Sequence, residues 1–408
     1  MSQSFDGEIG SQIERWKQDV GSDASWDARR LVTDLSKARQ HDLAIEHGSR
    51  ALEIWAHFEP LSSALAWALY RRDLADVTEE SNLENRRRAK QAVDRIQELC
   101  RAAPYDTYSP WPTSALKFSS VLAKRWPLPA LDLLKQLDPK SLSDTKSEKF
   151  PADRERWYML TTKALETAQH WEELSQACDM ALGQSCIDAK NQKWIRLRRA
   201  EAWRHLGRVE EAEPIIGAEA KASGDWWLYA RWAKVLVDLK RTQEALDVAY
   251  RALIAGGASS FGWETLALVG QLLEHSEPAL AVDHVRLSKL FREKEGWPTN
   301  QPLEDLAQRL NVTDDDVSTR DLVGKLKKIW HKVEDADREV GTVIKHLNEG
   351  AGFIEPDSGS GSLFFSLPKD SKKQLPEVGA RVSFVRQTSF DKKKGRESER
   401  AAKWRPVD

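Results

Sequence analysis

A mainly α-helical chain ending in a small β-barrel is the fold class that three observations predict. Over roughly the first three hundred of the 408 residues, apolar side chains recur at helical spacing. Within that stretch, Lys193–Ala212 and Asp225–Ala245 read as two copies of one pattern: a helix with large apolar residues, a tight turn, then Glu-Ala. The last seventy or so residues instead alternate apolar and polar side chains around glycines, the period of short twisted strands.

The elements follow in order. Residues 1–21 are a polar tail, 22–300 a helical repeat region, 301–335 a helical connector and 336–408 the barrel. The repeat region divides into about seven helical hairpins between Ser25 and Trp297. The first copy is Trp26–Trp55, with Ala44 and Ala51. Leu61–Ala103 is the next, followed by Trp111–Leu137 with Ala130 and Trp157–Leu182 with Leu174 and Ala181. The two clearest copies come next, and Trp263–Leu287 with Ala281 closes the series. Leu303–Leu310 and Leu322–Val333 supply the connector helices. Sixteen of the 17 tryptophans precede the barrel and are expected to pack inside the hairpins.

In the two clearest copies Ala212 and Ala245 lie 33 positions apart, close to the helix–turn–helix period of about 34 residues. The segments resemble tetratricopeptide repeats, in which small side chains recur where paired helices approach closely. Ala200 and Ala233 match the family's small residue on the first helix. Ala212 and Ala245 match the small residue opening the second, and Ala252 the later alanine. The resemblance implies a curved solenoid that holds a protein partner.

The C-terminal stretch resembles a cold-shock domain, a five-stranded OB-type barrel that binds single-stranded RNA or DNA. Glu349-Gly-Ala-Gly-Phe-Ile354 matches its first nucleic-acid motif and Leu363-Phe-Phe-Ser-Leu367 its second. Leu375–Phe384 matches the fourth strand and Ala401–Val407 the fifth. Carried over residue by residue, the resemblance assigns stacking to Phe353 and Phe364 and puts Lys345 or His346 where the family has a tryptophan. Ala351 and Ser366 replace two further stacking residues, and Leu367 stands where the family has a phenylalanine. Phe365 must face away from Phe364, into the core, because side chains alternate along a strand.

Charge completes this reading. From Gly341 onward 13 Lys and Arg stand against 9 Asp and Glu, a net of +4, so the rest of the chain carries about −6 of the total −2. Lys392, Lys393, Lys394 and Arg396 concentrate the positive charge near the loop between the last two strands, where OB folds contact nucleic acid. The expected nucleic-acid site is therefore Lys345, His346, Phe353, Phe364, Lys392, Lys393, Lys394 and Arg396, with phosphate-dominated, sequence-tolerant binding. Basic runs on the helices, at Arg86–Lys90 with Arg95 and at Arg196–Arg204, could extend such a track. They read better as exposed faces compensated by Glu80, Glu84, Glu201 and Glu210.

Nothing in the sequence supports catalysis. Cys100, Cys178 and Cys186 form no Cys-x-x-Cys pair and are expected in the core. The nine histidines lack metal-ligand spacing, the glycine-rich stretches do not open helices, and Asp314–Asp316 reads as a helix cap. No apolar run is long enough to span a membrane and the N-terminus lacks a signal-peptide core, so a cytoplasmic location is expected, without cofactors. The sequence thus predicts a non-enzymatic adaptor whose repeats bind a protein and whose barrel binds single-stranded nucleic acid. The same combination resembles helical-repeat proteins of bacterial conflict and phage-defence systems. The competing expectation is a protein-interaction scaffold, or a regulatory subunit of a separately encoded enzyme, whose barrel no longer binds nucleic acid.

Overall fold

Helical hairpins followed by a closed five-stranded barrel make up the protein, as a computed structural model describes it over residues 22–146, 151–313, 317–336, 338–367, 375–391 and 396–407. The chain divides into two units, Met1–Ala202 and Trp203–Asp408.

In the first unit, helices α1 (Ser22–Lys37) and α2 (His41–Ile54), α3 (Glu59–Asp73) and α4 (Leu83–Leu99), α5 (Trp111–Leu122) and α6 (Pro127–Leu134), and α7 (Asp153–Ala168) and α8 (Trp171–Leu182) pack pairwise. Helix α9 (Ala189–His205) follows. The second unit carries α10 (Val209–Ser223), α11 (Trp226–Asp238), α12 (Thr242–Ala252), α13 (Trp263–Leu273), α14 (Pro278–Lys294), α15 (Gln301–Arg309) and α16 (Thr319–Ala336). Within it, α11 packs on α10 and α12, and α13 on α14. Starts are set locally. Prolines occupy the first turn of α3, α5, α6, α14 and α15, where no amide partner is lost. The side chains of Asn82 and Asn300 accept the Asn85 and Leu303 amides at 2.8 and 3.1 Å.

One turn recurs. Arg39, Gln169, Gly207 and Lys240 adopt left-handed φ of 62, 59, 81 and 59°. Each is followed by an amide bonded back to the carbonyl five residues earlier: Gln40 to Leu35, His170 to Leu165, Arg208 to Trp203 and Arg241 to Leu236, at 2.8–3.0 Å. This is the Schellman closure, which satisfies the last carbonyls of a helix. The next helix then begins in the same register, and Ala44, Leu174, Ala212 and Ala245 are all fully buried at the same place in it. Ala130, Ala281, Ala200 and Ala233 are equally buried. The expected tetratricopeptide-like hairpins are therefore present.

Small residues let the helices close. A Cβ on Gly217 of α10 would stand 2.9 Å from the indole of Trp232 on α11, and one on Gly270 of α13 would stand 2.4 Å from Val285 Cγ2 on α14. The three cysteines are buried as expected, and burial pushes the Cys178 thiol up to about 12.

Helix α16 is held by a buried polar contact inside an apolar seam. Leu322, Leu326 and Trp330 recur every four residues and are buried where α16 meets α12 and α14. The Trp330 indole Nε1–H donates to His284 Nε2 at 2.9 Å, and His284 Nδ1 lies 2.8 Å from the Leu280 carbonyl. Because a carbonyl only accepts, Nδ1 carries the proton and Nε2 receives the indole hydrogen. The ring is therefore neutral. Desolvation lowers its pKa from 6.5 to about 4.

The barrel strands are β1 (Arg338–Asn348), β2 (Ala351–Pro356), β3 (Leu363–Ser366), β4 (Arg381–Asp391) and β5 (Arg396–Pro406). They close in the order β1-β2-β3-β5-β4, antiparallel except for β3 with β5. Val343, Ile354, Leu363, Phe365, Val382, Phe384 and Ala401 fill the interior, with the Phe365 ring edge-on to Trp404 at 5.8 Å. Phe365 thus faces inward, as alternation requires. Gly352 makes room for it, since a Cβ there would stand 2.8 Å from Phe365 Cε1.

Two strand expectations shift. The fourth strand begins at Arg381 rather than Leu375, with Leu375 packing on the core from outside the strand, and the fifth begins at Arg396 rather than Ala401. The hairpin is longer because residues 385–391 and 396–402 pair with one another.

Candidate functional site

Strand register builds one row across the outer face of the barrel. Lys345 on β1 pairs with Phe353 on β2, Phe353 with Phe364 on β3, Phe364 with Arg400 on β5, and Arg400 with Gln387 on β4. With strands about 4.8 Å apart, these five positions follow about 19 Å of arc around the closed barrel. The inward residues Ile354, Leu363 and Ala401 are chain neighbours of Phe353, Phe364 and Arg400, so alternation turns the latter three outward. Phe364 is 37% exposed, and its ring meets Phe353 edge to face at 6.1 Å.

Bulges in β1 shape the edge of this row. The register slips between Val343 and Lys345 and again between His346 and Asn348. The two residues passed over, Ile344 and Leu347, are exposed. A bulge re-aims side chains at a sheet edge, and here it sets apolar groups beside the Lys345–Phe353 pair.

The structure brings Lys345, Phe353 and Phe364 together and separates His346 from them. His346 pairs with the inward-facing Gly352, and its Nε2–H donates to the Pro376 carbonyl at 2.9 Å, which ties down the segment before β4. Lys392, Lys393 and Lys394 lie outside the described residues. Arg396 opens β5, its backbone paired with Asp391. The stacking positions replaced by Ala351 and Ser366 are cross-strand neighbours at one end of the face.

Arg400 is the residue that sequence reasoning missed as a site position. Its Nη2 donates to Gln387 Oε1 at 2.9 Å, while its buried Nε has no hydrogen-bond partner among the described residues. The signal lay in the basic run of residues 391–400, but only the β3–β5 pairing reveals that Arg400 stands beside Phe364. Other barrel arginines are committed elsewhere. Arg386 forms a two-armed pair with Glu339, at 2.7 Å on each arm, and reaches Glu399 at 2.7 Å and Ser360 at 2.6 Å. The guanidinium holds the Glu339 carboxyl below its usual range. Arg381 grips Asp357 with both arms.

The basic runs on the helices have acidic partners, among them carboxylates that the sequence did not point to. Arg88 pairs with Asp73, Lys90 with Asp94, Arg95 with Glu98, Arg198 with Glu166, Arg199 with Asp179 and Arg204 with Asp238. Arg86 lies over the Trp126 ring at 4.5 Å. Among the described residues no group of three or more His, Cys, Asp and Glu is placed to hold a metal ion, and no helix is long and apolar enough to cross a membrane.

No family model and no curated protein matches the chain. Solved structures do. A tetratricopeptide repeat protein from Parabacteroides merdae is 12% identical over 70% of this chain and 98% of its own, with a TM-score of 0.36. The TPR2AB-domain complex of yeast Sti1 with pHSP90 is 14% identical over 71% and 100%, with a TM-score of 0.27. The APC/C hetero-tetramer Cut9–Hcn1 is 12% identical over 71% and 56%, with a TM-score of 0.37. The repeat assignment rests on the recurring turns and buried alanines rather than on these likenesses.

Proposed function

We propose that the protein is a non-enzymatic adaptor whose barrel binds single-stranded nucleic acid and whose helical hairpins bind a protein partner. The observation that carries the first half is the row Lys345, Phe353, Phe364, Arg400: two outward rings flanked on both sides by cations. Rings offer stacking at about 1–3 kcal/mol per base, and cations follow the phosphates. The closed five-stranded order, with the cold-shock-like motifs on β2 and β3, supports an OB-type identity for the barrel.

With ring stacking and phosphate contacts carrying the binding, it is sequence-tolerant and falls steeply with salt. Repeated helical hairpins support the second half, because stacked repeats expose extended surface suited to a peptide or a folded partner. The pairing of Ala351 with Ser366 favours a second reading, in which the barrel serves protein contacts alone.

Titration of the full chain with fluorescent dT and U oligomers at 50 and 200 mM salt separates the two. Binding that weakens with salt and is lost in Phe353→Ala supports the adaptor. No binding at 50 mM salt supports the scaffold.

A further inference from the structure

Gln387, the last position of the row across the barrel, also lines a cleft of about 850 Å³ between the barrel and helices α10 to α12. The cleft lies within the second unit, and α10 contacts β4 directly. Its barrel wall adds Lys403, and its helical wall contributes Lys221, Tyr229, Trp232 and Arg251. The volume falls in the range of ligand sites, about 300–1,000 Å³.

We propose that this cleft continues the nucleic-acid path, so that a strand crossing Phe353 and Phe364 passes Arg400 and Gln387 and enters between barrel and repeat. The inference rests on the single-strand reading of the barrel and extends its footprint onto the helices. Three observations carry it: continuity, charge and shape.

Continuity comes from the register, since Phe364, Arg400 and Gln387 are successive neighbours and the last of them is a wall of the cleft. Charge comes from Lys221, Arg251 and Lys403 on opposing walls, with Arg400 at the entrance. Of the two carboxylates in the lining, Glu244 is held by both arms of Arg241, at 2.7 and 2.5 Å, which leaves Asp247, hydrogen-bonded to Gln243 at 3.1 Å, as the anion facing these cations. Shape comes from Trp232. Its indole lies against Gly217, donates to Glu213 at 2.8 Å and has the Lys221 ammonium 4.9 Å from its ring. The Lys221 ammonium therefore stands beside the aromatic wall of the cleft.

A barrel alone covers a short strand, whereas barrel plus cleft covers a longer one, within the 4–16 nucleotides that OB-type sites span. The test therefore compares dT oligomers of 6 and 18 nucleotides on the full chain, in wild type, Lys221→Ala/Arg251→Ala and Phe353→Ala, with circular dichroism confirming the helical content of each variant. The double variant should bind the 6-mer as wild type does and the 18-mer more weakly. Removal of two phosphate contacts should flatten the log–log salt slope for the 18-mer by about 1.4. Between 50 and 200 mM salt the wild type should thus lose about seven-fold more 18-mer affinity than the double variant. Phe353→Ala should weaken both lengths. If the double variant binds the 18-mer with wild-type affinity and slope, the strand ends at the barrel and the proposal is overturned. If wild type binds neither oligomer, the single-strand reading falls as well, and Lys221 and Arg251 have no part in it.

Discussion

Protonation of His284 should unseat helix α16, and the size of the effect can be worked from the contact. The ring is buried, donates from Nδ1 to the Leu280 carbonyl and accepts from the Trp330 indole at Nε2. A second ring proton would set N–H against N–H at 2.9 Å, so the folded protein refuses it until pH falls to about 4, while the unfolded chain accepts it near 6.5. The folded pKa is the lower one, so the stabilisation is present above about 6.5 and is lost as pH falls from there towards 4. A shift from 6.5 to about 4 corresponds to about 3 kcal/mol. Urea unfolding followed by circular dichroism, at pH 7 and pH 4, should show wild type losing about 3 kcal/mol more than His284→Gln, in which the titrating group is gone. Equal pH dependence in the two proteins, or a His284 resonance titrating near 6.5, would refute the reasoning.

Three further outcomes are expected. Gly217→Ala puts a methyl group 2.9 Å from the Trp232 ring and should destabilise the second unit by about 1–3 kcal/mol, measured as a fall in thermal midpoint. Glu155→Ala strands the Asp188 amide and the Asn191 side chain, which the buried carboxylate receives at 2.6 and 2.9 Å, at a cost of about 1–3 kcal/mol in urea unfolding. Arg386→Met leaves Glu339 and Glu399 facing one another without their shared guanidinium. Hydrogen exchange in β1 and β4 should quicken by roughly ten-fold, corresponding to about 1.4 kcal/mol.

The alanines were legible in the sequence because burial against a facing helix admits little else, and Ala44, Ala130, Ala212, Ala245 and Ala281 all stand where the repeat pattern puts them. The turns between the helices were not. Among the four recurring turns only Gly207 is the residue usual at a left-handed cap, while Arg39, Gln169 and Lys240 adopt the same φ with side chains that give no sign of it. Phe365 was legible because alternation along a strand is strict. Lys345 and His346 could not be told apart by counting, since β1 slips register on both sides of them and each slip changes which face the next residue takes. Arg400 was hidden for another reason: its neighbour Phe364 is 36 positions away in sequence, and only a parallel strand pair joins them. The His284–Trp330 contact joins helices with no spacing rule to announce it.

On the adaptor reading, unpaired bases stack on the outward rings of β2 and β3. Photocrosslinking of a 4-thiouridine oligomer to the full chain, read by peptide mass spectrometry, tests it most directly. Crosslinks should fall on the peptides carrying Phe353 and Phe364 and vanish at high salt. Crosslinks confined to the helices, or none at low salt, would contradict the claim.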